Sequence, residues 1–558
     1  MRFDLASAGL AVSLFLAACG SPEADPRPIA DEATRVVISQ GELIGFETEQ
    51  GAHSWRAIPF AAPPVGDLRW RAPRPAQAFD GIYEALDFGP RCPQVTNGLD
   101  EGEGLEPGLL IGSEDCLTLD IYAPPGAENL PVMVWIHGGG NVWGRSSAYN
   151  GSQLALDQDV VVIAVQYRLG PLGWFAHPEL RDDAETELDA AANFALLDMI
   201  AALEWVRANA QAFGGNPEQV TIFGESAGGH NVAGLMASPL AHGLFEGAIM
   251  QSALAWSVPL DVAESGSDWE PNGAIDIAER VLGNDWSAAD LRAAELEDVF
   301  AAYNIQGSLQ LPRMIEDGVT LGEGGILAAA ATPGGFADVP LITGSNRDEN
   351  RLYKALDPDL VNRVSLLLWP KDAEVYEAVA DYPSRFWRVL AVDEIAERLR
   401  RAGREDVWAY RFDWDEGGSF LVTDTGQLFG AAHSMEIPFV FNHFEFYGVL
   451  DRLLFTDGNR EGREALASAM GDHWGAFAHT GEPQADWLSW QAGGRLMRFD
   501  APGDGGQMLM TGRESLGLIL ADLADDERLG ADERCAVAWE LTAWNPPDAD
   551  QIAARISC

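Results

Sequence analysis

Runs of apolar residues too continuous to leave one face in water recur along the chain, and they restrict it to one broad architecture. PVMVWI (131–136) and VVVIAVQ (160–166) are the longest, and VTIF (220–223), GAIM (247–250) and PLITG (340–344) are shorter. A strand with one wet face alternates polar with apolar residues; an unbroken run bounded by glycine or proline is a strand covered on both faces. Between two of these runs, Phe194, Leu197, Ile200, Leu203 and Val206 recur at helical spacing within 193–212. Buried strands alternating with helices predict an α/β class: a large, mostly parallel central sheet flanked by helices. The span 256–333 carries no strand signal, which predicts helical excursions over the sheet edge that bears the site. No linker, repeat or low-complexity tract interrupts the chain after Val36, so 35–558 reads as a single domain.

Chemistry concentrates where those strands end. Gly224-Glu225-Ser226-Ala227-Gly228 follows the run 220–223 and opens a stretch of small residues. A strand turning sharply into a helix lifts the Ser226 hydroxyl above the sheet, and the flanking glycines leave room for the turn. His137-Gly138-Gly139-Gly140 follows the strand ending at Ile136. Three glycines there let a backbone approach a ligand with its N–H groups free, and the amides of Gly139, Gly140 and Ala227 are the candidate oxyanion donors. No Lys-Ser/Thr follows, which excludes a phosphate-cradling P-loop. A serine nucleophile needs a base, and in this strand–turn–helix arrangement the chain order is serine, acid, histidine. His433, among the small residues of GAAHSME (430–436), is the candidate base; Asp348 and Glu349, after the short strand 340–344, are both candidate acids, and spacing does not separate them.

The surroundings of this chemistry follow from charge and cysteine. With 36 basic and 86 acidic residues the net charge is −50, a field that repels nucleic acid and anionic membrane surfaces. Arg2, an apolar run from Leu5 to Leu16 and then Leu16-Ala17-Ala18-Cys19 form an export signal (1–18) ending in a lipobox-like site. Lipidation of Cys19 is expected, with 19–34 as a tether, placing the chain in the periplasm or at the outer membrane of a bacterium. The four remaining cysteines allow three connectivities; proximity favours Cys92–Cys116 and Cys535–Cys558. An oxidising compartment suits both.

Together these residues resemble the type-B carboxylesterase family, which includes cholinesterases and bacterial broad-range esterases. The resemblance runs through Ile58-Pro59-Phe60-Ala61, Arg69-Trp70 and Ser113-Glu114-Asp115-Cys116-Leu117, then HGGGN (137–141), Tyr167-Arg168-Leu169-Gly170 and Phe213-Gly214-Gly215-Asn216-Pro217. It continues through GESAGG (224–229), GSNRDEN (344–350) and HSMEIPFVF (433–441). It implies the α/β-hydrolase fold, a triad of Ser226, Glu349 and His433, a disulfide between Cys92 and Cys116, and Glu225 as an acidic residue lining the gorge. It implies no metal and no organic cofactor. Several positions depart from the family pattern. Asn350 and Ser434 stand where glycines are usual, Ala195 replaces a helix glycine, Asn141 replaces a common phenylalanine beside the oxyanion loop, and His230-Asn231 replaces a small residue followed by serine.

The implied reaction is hydrolysis of a small-molecule carboxylic ester through an acyl-enzyme on Ser226. Choline esters are disfavoured, because 93–115 contains no aromatic residue to hold a quaternary ammonium. A non-catalytic adhesion module, the reading from another class, would lack the serine. Trp143, Phe429 and Phe439 are candidate pocket walls; substrate, leaving-group class and oligomeric state are not encoded in any motif.

Overall fold

The computed structural model describes residues 27–544, apart from short gaps at 98–99, 101–103, 268–269, 306–307, 310–311 and 365–366, together with Ile556. The expected signal segment 1–18 and Cys19 lie outside the described residues. So does Cys558; Cys535, with which the sequence pairs it, is disulfide-bonded.

One 11-stranded sheet organises the chain. Its strands are β1 (Phe46–Glu47), β2 (His53–Pro59), β3 (Thr118–Ala123), β4 (Leu130–Ile136), β5 (Val161–Val165), β6 (Gly215–Glu225), β7 (Gly247–Gln251), β8 (Leu341–Asn346), β9 (Val407–Phe412), β10 (Arg495–Phe499) and β11 (Met508–Thr511). They lie in the order β11-β10-β9-β8-β7-β6-β4-β5-β3-β2-β1. From β10 to β5 neighbours run parallel, and antiparallel strands close both flanks. The continuous apolar runs have their physical reason here. Val132, Val134 and Ile136 of β4 join one buried cluster while Met133 and Trp135 join another on the opposite face. Val161, Ile163 and Val165 of β5 divide from Val162 and Ala164 in the same way. Side chains alternate across a strand, so a sheet covered on both faces needs apolar residues at every position.

Helices supply both covers. On one face lie α1 (Phe194–Asn209), α2 (Ala227–Ala237) and α3 (Ala373–Arg388); on the other, α4 (Arg460–Thr480) contributes Leu466, Met470, Trp474 and Phe477. Every residue of α2 is buried, which accounts for its run of glycine, alanine and short aliphatic residues. No helix among the described residues is long and apolar enough to cross a membrane.

Two expectations change. Among the described residues, the span 256–333 carries five helices but is not free of strands. Ser257–Pro259 pairs in parallel with Met314–Glu316, and Asn304–Ile305 pairs with Ser308–Leu309. Segments this short carry no periodicity of their own; partners distant in the chain define them. The globule also begins before residue 35. Asp31 donates its amide to the Gly45 carbonyl at 3.0 Å, Thr34 is fully buried, and the Trp55 indole donates to the Thr34 carbonyl at 2.7 Å. Residues 27–34, polar enough in composition to read as tether, are thus partly anchored by backbone hydrogen bonds. The disulfide Cys92–Cys116 forms as paired from the sequence.

Candidate active site

β6 ends at Glu225 and α2 begins at Ala227, leaving Ser226 alone on the turn with φ 57° and ψ −122°. A non-glycine residue at positive φ is strained, and it persists only where its surroundings over-determine it. Here the Ser226 amide donates to the Gln251 carbonyl of β7 and the Ser226 carbonyl accepts from the His230 amide, both at 2.9 Å. Gly228 explains why the turn can pass so close to the sheet: a Cβ there would stand 1.9 Å from the Ile136 carbonyl oxygen.

The triple-glycine loop leaves β4 beside this turn. Gly139 has φ 104°, and a Cβ on it would stand 2.0 Å from the Trp143 carbonyl oxygen. That carbonyl approach holds the loop in a conformation only glycine adopts without strain. A Cβ on Gly138 would stand 3.2 Å from that of Ser226, so the loop lies directly against the turn. Among the described residues, none of the amides of Gly139, Gly140 and Ala227 donates a hydrogen bond to the protein. The three amides, on the two segments that meet at the serine turn, are thus available to a bound acceptor.

His433 arrives on the loop 430–436, which is fastened to the end of β8. The Asp348 amide donates to the Ala431 carbonyl at 3.0 Å, the His433 amide to the Glu349 carbonyl at 3.2 Å, and the Asn346 side-chain amide to the Ala432 carbonyl at 2.7 Å. The imidazole Nδ1 lies 2.6 Å from Glu349 Oε2, while Glu349 Oε1 accepts from the Asn346 amide at 2.8 Å. The pair is buried, with Glu349 at 0% exposure and His433 at 5%. Asp348 faces away, held by Arg347 at 2.7 Å and Arg351 at 3.3 Å. Geometry thus separates the two carboxylates that spacing could not.

The other ring nitrogen, Nε2, stands 3.2 Å from Glu225 Oε1, but that oxygen has no aligned hydrogen-bond partner. Among the described residues no hydrogen bond joins Ser226 Oγ to the ring. The second ring nitrogen therefore sits at the side chain adjacent to the serine in the chain. Burial alone would lower the imidazole pKa; the carboxylates of Glu225 and Glu349 outweigh it, and the ring is pushed up to about 9. Burial pushes the Glu225 carboxyl well above the usual carboxylate range, and we attribute the rise at His433 first to its hydrogen-bonded partner Glu349.

Three supporting residues stand around this pair; Glu436 lies in the run HSMEIPFVF, whereas Trp387 and Ser252 carry no signal in the sequence. Trp387 of α3 packs over the imidazole with centroids 4.5 Å apart and donates its indole N–H to the Ser252 carbonyl at 3.0 Å. Glu436 is fully buried, accepts from the Asn346 amide at 2.6 Å, and is pushed up to about 7 by burial and by Glu349. Ser252, at φ 51°, reaches Glu436 at 3.4 Å. Only tertiary packing reveals Trp387 and Ser252. Of the proposed pocket walls, Phe439 is a core residue, packed on Phe412 and Trp414 at 5.0 Å each. Trp143 and Phe429 are partly buried.

Residues 32–360 match the carboxylesterase family. The chain is 35% identical over 485 residues to a para-nitrobenzyl esterase of Bacillus subtilis, covering 82% of this chain and 92% of that protein. It is 33% identical over 538 residues to a human cocaine esterase, covering 87% and 89% respectively. A solved PNB esterase superposes with a TM-score of 0.69 at 31% identity, over 86% of this chain and 97% of that one.

Proposed function

Since the chain belongs to the carboxylesterase family and is a carboxylic ester hydrolase, we propose that it works through an acyl-enzyme on Ser226, with His433 as base, Glu349 as the acid that orients it, and Gly139, Gly140 and Ala227 as oxyanion donors. The observation that carries this reading is the buried 2.6 Å contact between His433 Nδ1 and Glu349, on a ring whose far nitrogen stands 3.2 Å from Glu225, the residue before the strained serine turn. Glu349 holds the imidazole with Nδ1 protonated, so Nε2 is free to take a proton.

In this mechanism the ester carbonyl lies over Ser226 with its oxygen among the three unpaired amides. Ser226 Oγ attacks the carbonyl carbon as Nε2 takes the hydroxyl proton; the C=O pair moves onto oxygen, where the amides stabilise it. His433 then gives the proton to the departing alkoxide, which leaves as the alcohol. Water repeats the sequence and frees the carboxylic acid. The serine–imidazole hydrogen bond closes when substrate is bound, as catalytic hydrogen bonds commonly do. Glu225 beside Nε2 is proposed as a wall of the gorge that keeps the ring within reach.

Ser226→Ala tests the assignment. Turnover of a chromogenic short-chain ester is expected to fall by about 10⁶-fold, as when a triad serine is lost, and an organophosphate should no longer label the chain. Wild-type turnover in that variant would overturn it.

We propose further that the chain is exported and tethered by lipid on Cys19. The disulfide Cys92–Cys116 supports an oxidising compartment, and Leu16-Ala17-Ala18-Cys19 supports lipidation.

A further inference from the structure

Two of the departures from the family pattern meet. Asn141, the residue after the triple-glycine loop, and Asn231, on the second turn of α2, exchange side-chain hydrogen bonds. Asn231 Nδ2 donates to Asn141 Oδ1 at 2.9 Å and Asn141 Nδ2 donates to Asn231 Oδ1 at 3.3 Å. Both are buried, at 1% and 0% exposure. Among the described residues, these are the only hydrogen bonds between the loop 137–141 and the helix 227–237.

We propose that this reciprocal amide pair is a positioning device that sets the register of the oxyanion hole. The inference rests on the hole assigned above. Its donors come from two separate segments: Gly139 and Gly140 on the loop, Ala227 on the first turn of α2. Asn141 is bonded in sequence to Gly140, and Asn231 lies one helical turn beyond Ala227. A bond between the two side chains therefore links the two halves of the hole one residue from one half and one turn from the other.

The loop needs such a link. Gly139, Gly140 and Asn141 all have positive φ, at 104°, 61° and 61°, and the amides of the two glycines are unpaired. Asparagine tolerates the left-handed region better than most residues, which suits it to that position. The backbone side of the loop is fixed independently, since the Asn141 carbonyl accepts from the Gly170 amide at 2.7 Å and Tyr167 donates its hydroxyl to the His137 carbonyl at 2.6 Å. Those bonds tie the loop to the 167–170 segment, whose Tyr167 side chain also interacts with Asn231. Among the described residues, the amide pair is the direct hydrogen-bonded link between the loop and the element that carries Ser226 and Ala227. Each amide also gives the other, buried beyond reach of water, a hydrogen-bond partner.

The test compares Asn141→Ala, Asn231→Ala and the double variant on p-nitrophenyl acetate, with active sites titrated by diethyl p-nitrophenyl phosphate so that unfolded molecules drop out. Each single change is expected to lower kcat per titrated site by about 10- to 100-fold, the scale of a misplaced catalytic group, with KM within about twofold of wild type. The affinity for a trifluoromethyl ketone, whose adduct places an oxyanion in the hole, should fall by a similar factor. The double variant should be no slower than the slower single one, because either change breaks the same link. If Asn231→Ala does not fold, Asn231→Ser, which keeps a hydroxyl but loses the amide, takes its place. A purely structural role would lower the melting temperature and the yield of titratable sites while leaving kcat per site and ketone affinity unchanged. That outcome, or losses that multiply in the double variant, overturns the proposal. Ser226→Ala separates the two levels: if it retains turnover the acyl-enzyme reading falls, whereas a dead Ser226→Ala beside wild-type asparagine variants removes only the positioning role.

Discussion

Between Glu349 and His433 a single 2.6 Å contact does two jobs. It fixes the tautomer, and it raises the basicity of the ring by stabilising its protonated form. The two effects can be separated by experiment. In the proposed mechanism the imidazole must be neutral to accept the serine proton, and it is neutral only above its pKa. Because neighbouring carboxylates push that pKa up to about 9, kcat/KM of the wild type should rise through an acidic limb above neutral pH. Glu349→Gln removes the charge but keeps the shape. Its limb should move to lower pH, while the plateau falls by about 10⁴-fold because the tautomer is no longer enforced. A limb that stays in place or moves upward would show that Glu349 does not act on the ring. The choice of Glu349 over Asp348 was open to spacing, since adjacent residues at a strand end reach opposite directions. Arg347 and Arg351 decide it by claiming Asp348. Trp387 had no sequence signal for the same reason: its role is a place beside the imidazole, reached from a distant part of the chain.

The turn between β6 and α2 is the element whose form the sequence stated most clearly. Its glycines answer to contacts with another strand, so their replacement has a definite consequence. Gly228→Ala places a methyl 1.9 Å from the Ile136 carbonyl oxygen, and neither β4 nor the start of α2 can retreat without breaking sheet or turn. Stability should fall by about 1–3 kcal/mol, the usual cost of overpacking, read as a lower urea midpoint. Activity should fall further than stability, because the displaced turn carries Ser226. A midpoint equal to wild type would mean that the turn is looser than its geometry implies. Long strands such as 131–136 and 160–166 were legible to within a residue, since burial on both faces writes itself as an unbroken apolar run. The pairings of 257–259 with 314–316 were not, because three-residue strands have too few side chains to display a period.

At the scale of the whole molecule, export and anchoring are the properties open to test. If Cys19 carries lipid, the wild type should partition with membranes after cell breakage and Cys19→Ala should be released, since the chain's net charge of −50 opposes any electrostatic adhesion to anionic lipid. Recovery of wild type in the soluble fraction would refute the anchor. Composition misled at the boundary of the globule: 27–34 is as polar as a tether, yet Asp31 and Thr34 make the hydrogen bonds that pin it.

The sequence by itself determined the α/β class, the strand–serine–helix turn, the glycine loop and the family, because each is written in local spacing or in residues whose backbone demands admit few substitutes. Tertiary structure alone decided that Arg347 and Arg351 claim Asp348 and leave Glu349 to the imidazole, that Glu225 stands at its other nitrogen, and that Asn141 and Asn231 join hands across the site. Those facts depend on which strand ends the sheet brings together, and a distance between residues far apart in the chain is encoded only in the packing of everything between them.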